Sequence, residues 1–323
     1  MKKVQNILIA GFGDIGRRVA TQLRSSRRYK VLALVRKPSP LSRNPRLARP
    51  FGARLVRGDL SRPRTLVNLG GLADAVLHFA PPPSFDKTDP HTRNLLAALG
   101  NARRPTLLCA RRTTAKRPGM LPRRIVYIST TGVYGNCEGD WVDETRRVHP
   151  ESARAERRVD AERRLRKWGQ RHGIPITILR APGIYAADRL PLDRLRRLTP
   201  VLQRTEDVFT NHIHADDLAA AVISALHQRW PKRFRVFNIV DDNQLRMGDY
   251  FDRLADAFGF PHPPRISRLE AQDQIAPMLL SFMRESRRIG NARIKRELKL
   301  VLKYPTLASV LSGLQAPVQK TPD

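Results

Sequence analysis

A short buried strand that breaks into a glycine-rich turn constrains this chain more than any other feature. The apolar run from Ile7 to Ala10 is typical of a parallel strand, and Gly11-x-Gly13-x-x-Gly16 follows at once, leading into a helical spacing of apolar residues. In this setting Gly11 permits a tight turn, Gly13 lets the backbone approach a pyrophosphate, and Gly16 lets the helix pack on the strand. The helix N-terminus then offers free N–H groups to phosphates. The pattern predicts a dinucleotide site at Gly11, Phe12, Gly13, Asp14, Ile15 and Gly16, and a glycine-rich turn without a ligand is the alternative.

The end of the second strand predicts the form of the cofactor. Lys30 to Val35 form a second strand, and Arg36 lies twenty residues beyond Gly16. An Asp or Glu here would bind the 2′-hydroxyl of NAD, whereas Arg suits the 2′-phosphate of NADP. A guanidinium meets a phosphate as a planar fork, and Lys37 adds a second positive charge. We therefore predict NADP rather than NAD, with one more surface arginine as the alternative interpretation of Arg36.

Strands and helices alternate along the rest of the chain. Further strands are predicted at 53–60, 75–80, 125–129, 174–180 and 235–240, with helices between them. This alternation predicts an α/β fold with a doubly wound parallel sheet. We expect residues 1–185, with a return segment at 207–240, to form the NAD(P)-binding core, and 186–206 and 241–323 to form a smaller C-terminal substrate-side region.

The composition is strongly basic. Sixty Lys and Arg against 29 Asp and Glu give a net charge of +31, which would attract polyanions. The simpler interpretation of this charge is an enzyme whose surface is decorated with arginines, and nucleic-acid binding is the sharper one. The segment 101–124 holds eight basic residues and no acidic one, which predicts a mobile basic loop, with polyanion contact as the sharper alternative. Two cysteines, Cys109 and Cys137, fit a reducing cytoplasm. The sequence contains no run of eighteen apolar residues, so we predict no membrane-spanning segment. We expect a monomer or a homodimer.

Several short motifs follow one another along the chain in a characteristic order. After the turn at Gly11 come Gly58-Asp59-Leu60, Ser129-Thr-Thr-Gly-Val-Tyr-Gly135, Arg180-Ala-Pro-Gly-Ile-Tyr185 and His212-Ile-His-Ala-Asp-Asp-Leu-Ala219. Together they resemble the extended short-chain dehydrogenase/reductases, the NAD(P)-dependent epimerase/dehydratase group, over nearly the whole chain. The resemblance implies a Rossmann core and a cofactor bordered by Asp59, Leu60, Phe79, Ala80 and Pro182. It also implies that Thr130 holds the position of the catalytic Ser/Thr.

Two departures from that family pattern stand out. Ala10 replaces the first glycine of the usual G-x-x-G-x-x-G, and the catalytic Tyr-x-x-x-Lys is missing. The usual Ala-Glu that follows the lysine is Ala161-Glu162, which puts Arg158 at the lysine position and Arg154 at the tyrosine position. Arginine stays protonated near neutral pH, so neither residue replaces the tyrosine as proton donor. Arg158 could hold a ribose hydroxyl, and Arg154 could bind an anionic group.

Other acids lie near the predicted site in sequence. The candidates for a substitute proton donor are Tyr134, Cys137, His149 and Tyr185, with a pocket-shaping role as the alternative for the tyrosines. Cys137 could equally be a small apolar residue. The catalytic candidates are thus Thr130, Tyr134, Arg154 and Arg158, and no cluster has metal-ligand spacing. The helix at about 152–171 should carry the ion pairs Asp160–Arg164 and Glu162–Arg166.

These features support two functional interpretations. The leading one is an atypical NADP-dependent oxidoreductase or epimerase-like protein that acts on a small carbonyl, alcohol or sugar-type substrate. The alternative is a catalytically silent NADP(H)-binding sensor that contacts a partner, such as nucleic acid, through its basic surface. The missing Tyr and Lys favour the second, whereas Thr130 and the pocket-side motifs favour the first.

Overall fold

Apolar runs along the chain form the strands of a central parallel sheet. The structure is a computed structural model that describes residues 4–36, 50–101, 121–228 and 233–315. The strands are β1 (Gln5–Ala10), β2 (Tyr29–Val35), β3 (Ala53–Arg57), β4 (Ala75–His78), β5 (Ile125–Thr130), β6 (Trp141–Val142), β7 (Ile176–Ala181), β8 (Gly183–Tyr185), β9 (Val201–Leu202), β10 (Phe209–Thr210), β11 (His212–His214), β12 (Phe234–Asn238), β13 (Leu245–Arg246), β14 (Arg265–Ile266) and β15 (Arg288–Ile289). Lys37, Cys109 and most of the basic segment 101–124 lie outside the described residues.

Helices connect these strands. They are α1 (Asp14–Arg24), α2 (Pro90–Gly100), α3 (Ala153–His172), α4 (Leu192–Arg196), α5 (Ala215–His227), α6 (Met247–Phe258), α7 (Arg268–Gln274), α8 (Pro277–Phe282), α9 (Ala292–Glu297) and α10 (Leu307–Gln315). Short 3-10 helices occur at Pro63–Leu66, Thr131–Tyr134 and Ala187–Arg189. Within the described ranges, no helix combines the length and the apolar character needed to cross a bilayer.

The strand order of the central sheet confirms the predicted doubly wound fold. Seven strands lie in the order β12-β7-β5-β4-β1-β2-β3, and every neighbouring pair is parallel. The chain moves outward from β1 in one direction through β2 and β3, and then in the other through β4 and β5. The order therefore reverses between β1 and β4. In open α/β sheets, ligands bind beyond the carboxyl ends of the strands at this point.

Two hydrophobic layers enclose the sheet, and a third cluster lies beside it. One layer packs α1 and α5 on the sheet, and the other packs α2 and α3 on the opposite face. The third cluster draws its residues from Tyr185 to Leu311. Residues Ile294 to Leu302 of the tail pack with the first layer instead. The division into an NAD(P)-binding core and a substrate-side region stays a prediction.

Buried polar contacts tie α3 to the sheet. Asp160 pairs with Arg164 at 2.6 Å, as the helical spacing predicts. The predicted Glu162–Arg166 pair is wrong, because Glu162 turns inward. Its carboxylate accepts hydrogen bonds from Arg180 Nη2 at 2.7 Å and from Ser129 Oγ at 2.6 Å. Arg166 instead lies over the ring of Phe234, 4.8 Å from its centroid.

Candidate active site

A groove of about 610 Å³ lies at the carboxyl edge of the sheet where the strand order reverses. Among the residues predicted to bind a cofactor, it is lined by Gly11, Phe12, Gly13, Asp14, Ile15, Gly16, Arg36, Asp59, Leu60, Phe79, Ala80 and Arg158. Pro182 lines a neighbouring cavity instead. Residues from four separate turns therefore meet in one groove, which we call the nucleotide groove.

The three glycines of the first turn meet different demands. Gly11 has φ +103°, and a Cβ there would lie 2.3 Å from the backbone nitrogen of Ala80. A Cβ on Gly16 would lie 2.7 Å from the carbonyl oxygen of Gly11. Gly13 differs from both, because a Cβ there would meet no atom within 4 Å. The missing side chain of Gly13 therefore leaves open space on the groove side, where a ligand can approach the backbone.

The N-terminus of α1 opens on this groove. Gly13 is its N-cap and supplies no side-chain hydrogen bond, so the first N–H groups of the helix are free of side-chain capping. Asp14 lies beside them and accepts hydrogen bonds from Arg18 Nε at 2.8 Å and Arg189 Nη1 at 2.7 Å. Partial burial opposes ionisation, but these bonds outweigh it and lower the pKa of Asp14. The two arginines thus neutralise the negative charge of Asp14 beside the helix N-terminus, which itself favours anions.

Arg36 is one of three arginines that line the nucleotide groove. Arg36 follows β2 directly and is exposed. Asp59 is held in a local turn, since its carboxylate accepts from the Ser61 N–H at 2.9 Å and its own N–H donates to Thr65 Oγ1 at 2.8 Å. Leu60 is buried beneath it. Arg36, Asp59 and Leu60 thus line the same groove.

A second cavity of about 510 Å³ adjoins the nucleotide groove. Ile184 and Arg189 line both spaces. The second cavity brings Thr130 and Arg154 together with residues of β8, β11, α6 and α8. We call it the substrate cavity, since it continues from the groove across the end of β5.

Thr130 ends β5 on the wall of the substrate cavity. Its Oγ1 accepts a hydrogen bond from the Gly132 N–H at 3.2 Å and so caps the 3-10 helix Thr131–Tyr134. A hydroxyl that accepts one hydrogen bond still has its own hydrogen to donate. Thr130 can therefore donate to an oxygen atom in this cavity.

Two arginines one helical turn apart on α3 face the two spaces. Arg158 lines the nucleotide groove and donates from Nη1 to Tyr127 OH at 2.9 Å and to the Ile128 carbonyl at 3.0 Å. Arg154 lines the substrate cavity, with its guanidinium 4.3 Å from the centroid of the Phe282 ring. Burial lowers the pKa of Arg154. Helix α3 contains no tyrosine.

Three of the four predicted substitute acids lie away from both spaces. Tyr134 is buried, and its hydroxyl donates to Asn238 Oδ1 at 2.8 Å. Cys137 is buried as well, and burial raises the pKa of its thiol, which favours the small apolar role. His149 has an exposed side chain 3.4 Å from Glu151. Tyr185 does line the substrate cavity, and its hydroxyl donates to Asp241 Oδ2 at 3.2 Å.

Comparison with known proteins decides the family. Residues 7–239 match the NAD dependent epimerase/dehydratase family. The chain belongs to this family. That assignment confirms the resemblance seen in the motifs.

The individual proteins that resemble this chain share at most 28% sequence identity with it in the following three comparisons. A trifunctional UDP-glucose 4,6-dehydratase/UDP-4-keto-6-deoxy-D-glucose 3,5-epimerase/UDP-4-keto-L-rhamnose-reductase of Arabidopsis thaliana is 24% identical over 83% of this chain. The chain spans only 42% of the length of that protein. A functionally unknown conserved protein from Silicibacter pomeroyi DSS has a solved structure with 28% identity and a TM-score of 0.73, covering 97% of this chain and 99% of that one. UDP-glucuronic acid 4-epimerase from Bacillus cereus, solved in complex with NAD, shares the fold at 17% identity and a TM-score of 0.71, covering 95% of this chain and 96% of that one.

Sequence reasoning missed several residues of this family member's substrate cavity. They are Arg189, Arg194, His212, Tyr250 and Arg287. The His212 ring stacks on Tyr250 at 4.1 Å, and burial lowers the pKa of His212 to about 4, so its imidazole is neutral near pH 7. The motif containing His212 contributed to the family resemblance, but it assigned His212 no role at the site. Arg287 lies in Ser286-Arg287-Arg288, a motif that also fits the family resemblance, but that motif assigned it no role at the site. Nothing in the spacing of Arg189 and Arg194 distinguished them from surface residues.

Proposed function

We propose that this protein is an NADP-dependent oxidoreductase or epimerase-like enzyme that acts on a small carbonyl, alcohol or sugar-type substrate. The observation that carries the proposal is the continuity of the nucleotide groove with a second cavity that has Thr130 on its wall. Family membership supports hydride chemistry of this kind. The sugar-type option is supported by the neighbour named as a UDP-glucuronic acid 4-epimerase in complex with NAD. We also propose that the protein is located in the cytoplasm and is a monomer or a homodimer.

The residues of the groove fit a nicotinamide dinucleotide. Gly13 leaves open space beside the uncapped start of α1, which suits a pyrophosphate. Arg36 would bind the 2′-phosphate, and Arg158 would bind a ribose hydroxyl. Phe79 and Ala80 would border the same ligand, with Asp59 and Leu60 near the adenine. When bound, the cofactor supplies or accepts the hydride.

The protein itself would orient and polarise the substrate. Thr130 donates its hydroxyl hydrogen to the oxygen of the reacting carbon, which favours negative charge there in the transition state. Arg154 holds the substrate from the facing helix but stays protonated, so it transfers no proton. Tyr185 already donates to Asp241, and its pKa is raised by burial and by that carboxylate, which makes it a weak acid.

Reversing the charge of Arg36 should reverse the cofactor preference. We expect Arg36→Glu to weaken NADPH binding by about 30-fold and to leave NADH binding nearly unchanged, because a charge-assisted hydrogen bond contributes about 2 kcal/mol. Fluorescence titration with both nucleotides measures this. Arg57→Glu is the matched control, since Arg57 is also exposed at a strand end but lies outside the groove. An unchanged NADPH/NADH ratio in Arg36→Glu would show that this residue does not read the 2′-phosphate.

Removing the Thr130 hydroxyl should lower turnover without affecting the cofactor. We expect Thr130→Val to reduce kcat/KM by about 10- to 100-fold, the loss of one hydrogen bond made to developing charge. Thr130→Ser should restore most of the rate, because it keeps the hydroxyl. Steady-state kinetics and an NADPH titration, made on both variants, separate the two effects. Equal turnover in Thr130→Val and the parent protein would remove Thr130 from the reaction.

The absence of a tyrosine on α3 favours a second candidate, the catalytically silent NADP(H)-binding sensor. One experiment tests both functions. The purified protein is titrated with NADPH and NADH, and oxidation of bound NADPH is then followed against a panel of carbonyl compounds. Binding with turnover supports the enzyme, and binding without turnover across the panel supports the sensor. Failure to bind either nucleotide contradicts both.

A further inference from the structure

The substrate cavity has more positive charge than its own carboxylates neutralise. Four arginines and one glutamate line it: Arg154, Arg189, Arg194, Arg287 and Glu285. Arg287 is paired with Glu285 at 2.7 Å, and Arg189 reaches Asp14 of the nucleotide groove at 2.7 Å. Two guanidinium groups, those of Arg154 and Arg194, remain without an acidic partner among the described residues.

Arg194 carries the clearer signal of the two. Its guanidinium lies 4.0 Å from the centroid of the Phe251 ring, which covers one face of the group. Its Nε and Nη2 atoms are buried and have no hydrogen-bond partner within the described part of the chain. Burial lowers the pKa of Arg194 to about 10, with only Tyr250 acting in the other direction. The group therefore still carries its charge near pH 7.

Arg154 lines the same cavity and also lies against an aromatic ring. Its guanidinium rests on the Phe282 ring, and within the described ranges it makes no hydrogen bond or ion pair. The nearby Glu285 is already engaged by Arg287. Both arginines thus line the cavity and have an aromatic ring beside the guanidinium group.

Physical chemistry indicates what such a cavity binds. A buried polar group without a hydrogen bond is costly, and a buried charge without a partner is more so. A guanidinium presents its N–H groups in a planar fork that matches the oxygens of a carboxylate or phosphate. We propose that Arg154 and Arg194 form an oxyanion-binding site, so that the substrate of this cavity carries a phosphate or carboxylate group.

This inference rests on the proposed function, which it deepens by naming the substrate as an anionic carbonyl or hydroxyl compound. The two guanidinium groups offer two positive charges in one cavity, so a substrate with one or two negative charges would be favoured. Thr130 lines the same cavity. The anionic group of the substrate would therefore anchor the substrate, while Thr130 contacts its reacting oxygen. Neutral carbonyl compounds would leave both guanidinium groups unpaired and would bind weakly.

Binding of inorganic phosphate and of malonate tests the proposal. Each is titrated by calorimetry at constant ionic strength, with and without NADP⁺, into the full chain and the variants Arg194→Leu and Arg154→Leu. We expect each variant to weaken binding by about 10-fold or more, the effect of losing a charged hydrogen bond. Arg197→Leu is the control, because Arg197 is exposed three residues along the same segment and changes the net charge equally.

The outcomes are distinct. Stronger binding of phosphate than of malonate identifies a phosphorylated substrate, and the reverse identifies a carboxylate. No binding of either anion, or equal weakening by Arg197→Leu, overturns the proposal. Thermal unfolding without ligand checks folding: Arg194→Leu should be at least as stable as the parent, because it removes an unpartnered buried charge. Loss of NADP⁺ binding would instead contradict the proposed function, and the anion titrations without NADP⁺ are independent of it.

Discussion

Replacing Gly13 with alanine is expected to weaken NADPH binding by about 100-fold while the protein keeps its fold. The added methyl group would meet open space and no protein atom within 4 Å, so the native packing is not disturbed. In the proposed complex that space belongs to the pyrophosphate. Displacing the phosphates from the start of α1 would lose about two charge-assisted hydrogen bonds, which together amount to about 3 kcal/mol. Fluorescence titration measures the binding, and thermal unfolding measures the stability.

Two further glycines serve as controls for Gly13→Ala. Gly313→Ala also adds a methyl group in open space, but far along the chain in α10 and outside the groove, so binding should be unchanged. Gly11→Ala should instead destabilise the protein, because φ is +103° and the Cβ would collide with Ala80. The alanine at Gly13 should change stability by less than about 1 kcal/mol, the scale of a helix-cap effect. Normal NADPH affinity in Gly13→Ala would place the nucleotide elsewhere.

Replacing Arg180 with methionine is expected to lower the free energy of unfolding by about 3 kcal/mol or more. Arg180 and Glu162 are both less than 10% exposed, and Arg180 donates to the carboxylate from Nε at 3.1 Å and from Nη2 at 2.7 Å. Arg180 also lies over the Tyr134 ring at 4.9 Å. Removing one partner of a buried pair leaves the other charge uncompensated in a poorly polarisable environment. Urea unfolding followed by tryptophan fluorescence measures the loss.

The double variant tests whether the unpaired charge is the cause. Because Glu162→Leu removes the carboxylate, Glu162→Leu combined with Arg180→Met should recover much of the stability lost in Arg180→Met alone. Arg196→Met is the surface control: Arg196 pairs with Asp193 at 2.6 Å, but both side chains are mostly exposed, and the expected change is below about 1 kcal/mol. Similar losses in Arg180→Met and Arg196→Met would contradict this account.

The buried pair also positions the candidate site. Glu162 accepts from Ser129, the residue before Thr130, and Arg158 lies one turn earlier on the same helix. The pair therefore fixes α3 against the ends of β5 and β7, where the groove and the substrate cavity meet. We expect losses in stability from Arg180→Met to be accompanied by weaker cofactor binding for this reason.

Local patterns were enough to predict the central sheet and the first turn. The run Ile7 to Ala10, the glycine spacing after it and the strand–helix alternation each depend on residues close together in sequence. Backbone sterics and burial act on such neighbours directly. A helix end is equally local: Gly259 directly follows Phe258 of α6 and has φ +66°, a conformation that favours glycine. The parallel sheet then requires that the loops after its strands meet at one edge.

Partners across the chain could not be predicted in this way. Glu162 has Arg166 one helical turn away, yet it pairs with Arg180, because the helix face that meets the sheet is decided by packing and a buried carboxylate needs a buried donor. Asp14 pairs with Arg189, which is 175 positions distant. In a chain with sixty basic residues, sequence alone marked Arg36, Arg154 and Arg158 but not Arg194. The sequence by itself determined the sheet, the turn, the family and the local Asp160–Arg164 pair. Only tertiary packing decided which charges from different elements are paired, because that pairing depends on distances between elements that no local pattern records.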